Sequence, residues 1–181
     1  MPRPALLAAL LPLLAACNSP PPAPVRLASS DGPPVAAVGP LAPFEGPDVL
    51  LVAVGPSPVD TEIAEVEIAG APGWGCSSPA VLRAGAWTAP PAELAASMTP
   101  LPVRATRDLG GGFEARRVAL AAPVDVEAGA VLFVGVALDS SDACGAKSAE
   151  GAGRSWRRNG GAWTPVDGAI VVTAIGYERA E

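Results

Sequence analysis

The chain of 181 residues contains no histidine, one lysine (Lys147), one tyrosine (Tyr177) and two methionines. Without an imidazole, Ser-His-Asp and Cys-His catalysis and most zinc sites are excluded together. Charged residues make up only 17% of the chain, and the formal net charge is −6. An acidic chain without a basic face is a poor nucleic-acid binder. Eleven arginines accompany the single lysine in a composition rich in Ala, Gly and Pro. That balance fits the codon bias of a GC-rich genome, so arginine abundance is discounted as a functional signal. No Gly-rich phosphate loop follows a strand and opens a helix, because "LGGGF" (Leu109–Phe113) lies between strands. No cofactor is called for. Long helical patterns are also missing, and 22 prolines and 20 glycines argue against a helical bundle. The 50% hydrophobic share argues equally against wholesale disorder.

The apolar run that stands out first is N-terminal. Arg3 precedes Ala5–Ala16, a stretch about half the length a bilayer-spanning helix needs, which reads as a signal-peptide core. Leu14-Ala15-Ala16-Cys17 resembles the lipobox of bacterial lipoproteins. That resemblance implies cleavage before Cys17, a diacylglycerol on its sulfur and acylation of the new amino group. Removing Arg3 with the leader would bring the net charge to −7. Two or three acyl chains, at about 0.8 kcal/mol per buried methylene, anchor a protein stably where one does not. Asn18 follows the cysteine in place of the Asp that favours inner-membrane retention in some lipoproteins, so the resemblance implies the outer membrane or cell surface rather than the inner membrane. From Asn18 to Asp48, nine of 31 residues are proline. Residues 17–47 therefore read as a lipidated cysteine and a semi-rigid, polyproline-like tether. The end of that tether, near Leu41–Phe44, is expected to reach the domain.

Residues 48–181 have a different texture. "DVLLVAV" (Asp48–Val54) suits a buried strand, and "TEIAEVEIAG" (Thr61–Gly70) alternates, with Ala64, Val66 and Ile68 opposite Glu65 and Glu67. "AVLRAGAW" adds a strand, "AAPPAELAASM" a helical turn, and "AIVVTAIGY" a closing strand. Seven to nine short strands with Gly/Pro punctuation predict an all-β fold, a single antiparallel β-sandwich. The order "VALAAPVDVEAGAVLFVGVAL" then "GRSWRRNGGAWTPVDGAIVVTAIGY" resembles the C-terminal half of jelly-roll modules of secreted bacterial proteins. It implies a jelly roll, the alternative being an immunoglobulin- or fibronectin-III-like sandwich. Such modules are adhesive, carbohydrate-binding or structural.

Few residues carry candidate chemistry. Cys76 and Cys144 sit in Gly/Ser-rich stretches, and a lipoprotein matures where disulfides persist, so they are expected to pair. The loop they close, about 69 residues, corresponds to roughly 4 kcal/mol in the chain-entropy picture. Glu65 and Glu67 lie about 7 Å apart on one strand face and read as a solvated surface rather than a catalytic pair. Asp139 and Asp142 have oxygens close enough to join a calcium site, although Asx turns use the same residues. "RSWRRNGGAW" (Arg154–Trp163) predicts a hairpin and holds the candidate ligand-binding residues Arg154, Trp156, Arg158 and Trp163. A turn at Asn159-Gly160 sets Trp156 opposite Trp163, whereas Gly160-Gly161 sets Arg158 opposite Trp163. The favoured reading makes both tryptophans core, with arginines running along the rim; the sharper one makes them a platform for a sugar ring or anionic glycan. Trp74 is expected to pack on the disulfide, and Trp87 is left open. Together these features predict a membrane-anchored, non-enzymatic binding or interaction module. Its expected partner is a glycan or another envelope protein, the alternative being a purely structural envelope lipoprotein.

Overall fold

The computed structural model describes residues 23–39, 48–138, 144–158 and 162–180. Thirteen strands are present among them: β1 Val25–Ala28, β2 Ala36–Val38, β3 Asp48–Val54, β4 Thr61–Gly70, β5 Val81–Trp87, β6 Thr99–Gly110, β7 Phe113–Val126, β8 Leu132–Leu138, β9 Gly145–Ser148, β10 Ser155–Arg158, β11 Trp163–Pro165, β12 Ala169–Ile170 and β13 Val172–Glu178. One helical turn, α1 (Leu94–Ser97), and a 3-10 turn at Pro72–Trp74 interrupt them.

Every pairing is antiparallel, and eight strands form a jelly roll: β1-β13-β4-β7 in the front sheet and β3-β8-β5-β6 in the back. Numbered one to eight along the chain, these strands lie in the orders 1-8-3-6 and 2-7-4-5, the interleaving of two Greek keys. β6 joins the sheets at one side, pairing through Val81↔Pro102 with β5 and through Ala105↔Arg117 with β7. At the other side, β10 and β11 extend the back sheet beyond β3. A small ladder of β2, β9 and β12 closes the end near Gly70↔Gly145.

The alternating apolar positions meet between the sheets. Leu50, Val52 and Val54 of β3 face Ile63, Val66 and Ile68 of β4, with Leu132, Val134 and Val136 of β8 completing the centre. Within β4 the inward set begins with Ile63 rather than Ala64, because a register shift between Ile63 and Glu65 absorbs one residue. β3 is apolar on both sides because both are covered. Val49 and Leu51 turn outward onto a second cluster with Leu94, Met98, Trp87 and Trp156. Arg83 ties this cover down by donating to the carbonyl of Ala95 at 3.1 Å.

The folded part also begins earlier than residue 48. β1 is the front sheet's edge strand, paired from Val25↔Gly176 to Ala28↔Thr173, and Leu27 is buried in the core. The fully buried Ser29 hydroxyl donates to the carbonyl of Ile170 and accepts from the amide of Val172. Proline density therefore misplaces the boundary: the "VRLA" between Pro24 and Pro33 is free to pair. Leu41–Phe44 lies outside the described residues.

Candidate functional site

In the hairpin that gathers the sequence candidates, the register is Arg158↔Trp163, Arg157↔Thr164 and Trp156↔Pro165. This is the arrangement expected of a Gly160-Gly161 turn, so the two tryptophans do not form a cross-strand pair. Asn159–Gly161 themselves lie outside the described residues. The register is set by β3, where Trp156 pairs with Leu51 and joins the outward cluster capped by α1. Trp163, on the edge strand, remains 37% exposed, which departs from the expectation that both rings are core. The arginines have structural work. Arg154 donates to the carbonyl of Gly55 at 3.0 Å. Arg157 grips the buried Asp48 carboxylate with Nε and Nη2 and also donates to the carbonyl of Gly39. Arg157 and Lys147 line an open groove of about 500 Å³ beside β2 and β11. Trp156, Arg158 and Trp163 therefore fall on one face of this ladder; of the candidates, Trp156 serves packing, Arg154 holds a backbone carbonyl, and Trp163 keeps an open face.

At the disulfide end the arrangement is different. Cys76 and Cys144 are bonded, with Cα atoms 5.8 Å apart. Two residues before Cys76, Trp74 is 53% exposed. Its indole N–H donates to the carbonyl of Gly111 at 3.2 Å, and its ring lies 5.6 Å from that of Phe113 at a 30° tilt. Phe113 is thus its aromatic support. The two loops touch backbone to backbone: Gly73 N–H donates to Gly112 O at 3.0 Å, and a Cβ on Gly73 would meet Gly112 Cα at 2.6 Å. Only glycine fits that approach. Beside the contact lies a cavity of about 220 Å³ lined by Pro72, Gly73, Thr106, Asp108, Phe113 and Glu114. Sequence reasoning missed this site. The available signal was "PGWGC", where a Trp flanked by glycines has no alternating neighbours with which to share a core face.

Below this end, Arg116 is 1% exposed, its guanidinium filling the space a side chain on Gly70 would need. Nη2 donates to the Cys144 carbonyl at 3.0 Å and Nε lies 3.6 Å from Glu114 Oε1, while Nε and Nη1 have no hydrogen-bond partner. Burial pulls its pKa down, partly offset by the Glu114 charge. Glu114 Oε1 also accepts the Ser78 hydroxyl.

The carboxylate pair of β4 departs from the expected solvated face. Glu67 is buried, its side chain 6% exposed. It accepts from Arg117 Nε at 3.0 Å and Arg107 Nη2 at 3.3 Å, with Arg26 Nη1 at 3.5 Å. Burial alone would raise its pKa; the hydrogen bonds and charges of Arg117 and Arg107 outweigh that and hold it below the ordinary value. Glu65 lies 3.7 Å from Arg117. Cross-strand register brings these groups together, and register is invisible in a single strand's sequence.

Cys17, Asp139 and Asp142 lie outside the described residues. Among the described residues, no group of three or more Cys, Asp or Glu is placed to hold a metal ion. No family model, curated protein or solved structure matches the chain.

Proposed function

We propose that this chain is a lipid-anchored, extracytoplasmic bacterial protein whose β-sandwich is a non-catalytic binding module, with a glycan as the favoured ligand class. The observation that carries the reading is the display of indole rings at the margins of a rigid sandwich, Trp74 on a stapled loop and Trp163 on an edge strand. The disulfide supports an oxidising compartment, and the lipobox at Leu14–Cys17 supports anchoring there. The engagement of Glu67 by arginines supports a non-catalytic role. A carboxylate held ionised by hydrogen-bonded guanidinium groups is a poor general acid.

Two measurements test the two halves of this proposal. Cells producing the full chain are labelled with an alkynyl fatty acid, and the Cys17→Ser variant is expected to lose the label and leave the membrane fraction. Label retained by that variant contradicts lipidation at Cys17. Retention of the full chain on immobilised polysaccharides is expected for the binding reading. Failure on every polysaccharide, with stoichiometric co-purification of another envelope protein, would favour a structural role.

A further inference from the structure

Resting on the binding reading above, the geometry points to the Trp74 loop, and not the Arg154–Trp163 hairpin, as the ligand site, and to the face of an uncharged sugar ring as its ligand. Trp74 offers a half-exposed indole whose one polar atom, the N–H, is already satisfied by Gly111. What remains for a partner is the π face, and a π face recognises apolar C–H surfaces such as one side of a pyranose. Four independent constraints hold that face in place. They are the Gly111 hydrogen bond, the Phe113 ring, the Gly73–Gly112 backbone contact and the Cys76–Cys144 bond two residues downstream. A side chain wanted only for solubility or packing needs none of them. A binding aromatic benefits from all, because ordering is completed before the ligand arrives.

The neighbouring cavity supplies the complementary polar groups. Thr106 offers a hydroxyl, and Asp108 and Glu114 offer carboxylate oxygens. Asp108 Oδ1 is fixed by the Gly110 amide at 2.7 Å, and Glu114 is backed by the buried Arg116 guanidinium. Carboxylates accept hydrogen bonds from sugar hydroxyls and repel uronates, sulfates and phosphates. At about 220 Å³ the cavity is smaller than the 300–1,000 Å³ usual for drug-sized ligands. It suits one ring of a longer chain. Among the described residues the hairpin shows no such combination: Trp156 packs into the outward cluster, and Arg154 and Arg157 are spent on the fold.

The test titrates the full chain, in a detergent without a sugar headgroup, with cello-, xylo-, chito- and galacto-oligosaccharides, and with polygalacturonate as the anionic comparator. Calorimetry and tryptophan fluorescence report binding. At least one neutral oligosaccharide is expected to bind and to perturb tryptophan emission, while polygalacturonate does not bind. Trp74→Ala should weaken that binding by about tenfold or more, the loss of one aromatic stacking contact. Gly73→Ala, which keeps the indole but moves the loop, should weaken it as well. Trp163→Ala should not. Folding of each variant is checked by far-UV circular dichroism and by the absence of free thiol. Neutral-sugar binding that survives Trp74→Ala, or binding of polygalacturonate alone, overturns this site and its ligand class while leaving the binding reading intact. No binding to any probe overturns both.

Discussion

The molecule carries two tryptophan-bearing, glycine-rich segments, and Trp156 of one and Trp74 of the other have opposite surroundings. In the hairpin, Trp156 lies on a strand whose partner β3 is apolar on both sides, so its ring completes the packing begun by Val49 and Leu51. In the Pro72–Trp74 turn the strand pattern is broken, and the ring is propped from behind by Phe113 and Gly112 with about half its surface open. The same residue type thus serves the fold in one place and is presented to solvent in the other. The local backbone decides which: alternation delivers a side chain to a buried face, and a glycine-flanked turn delivers it to an edge.

That contrast can be broken from either side. The largest effect belongs to the staple. Replacing both cysteines by serine is expected to lower stability by about 4 kcal/mol in urea unfolding. Trp74 emission should shift while the hairpin pairing persists. A loss below about 1 kcal/mol would mean that the staple does not hold the Trp74 end together. Next, Trp156→Ala should cost about 3 kcal/mol, slightly less than for a fully enclosed ring, because the outward cluster on β3 loses the ring packed against it. A negligible change would place Trp156 among the displayed rings.

A control outside both regions sharpens the comparison. Glu67→Gln is expected to cost about 2 kcal/mol at pH 7, the scale of hydrogen bonds to a charged group, without moving either tryptophan signal. The sign of its pH dependence follows from the direction of the shift. Because the folded pKa lies below the unfolded one, near 4.3, Glu67's contribution is full above that value. It is lost as the pH falls through the folded pKa. Wild-type stability should therefore decline on acidification in this window, and the Gln variant should show a shallower decline. Equal acid limbs in the two proteins would remove Glu67 as the cause. The smallest stability effect belongs to Trp74→Ala, under about 1 kcal/mol, because the ring is mostly supported rather than enclosed.

The β-sandwich was legible because alternation is local. "DVLLVAV" and "TEIAEVEIAG" announce strands wherever they end up, and turn residues punctuate them. The Cys76–Cys144 bond was legible from two cysteines in Gly/Ser-rich stretches together with the extracytoplasmic address expected for the chain. What was hidden depends on partners distant in sequence. "VRLA" reads as tether until β13 is placed beside it, and Glu67 reads as solvated until Arg26, Arg107 and Arg117 arrive from three other strands. Arg116 was half legible, since alternation with the core residue Val118 turns it inward, yet only the fold shows Gly70 making room for it. The hairpin drew notice because its arginines and tryptophans are dense, whereas Trp74 sits alone in a short turn. Density along the chain proved a poorer guide to exposure than the backbone beneath each ring.

The proposal above holds Trp74 for a ligand and Trp156 for the fold. The most direct test measures urea unfolding and neutral-oligosaccharide binding together on Trp74→Ala and Trp156→Ala. Trp74→Ala is expected to keep wild-type stability to within about 1 kcal/mol and to lose binding. Trp156→Ala, where it remains folded, should lose stability and keep binding. A Trp74→Ala protein that is as destabilised as Trp156→Ala, or that binds as the wild type does, would contradict the proposal.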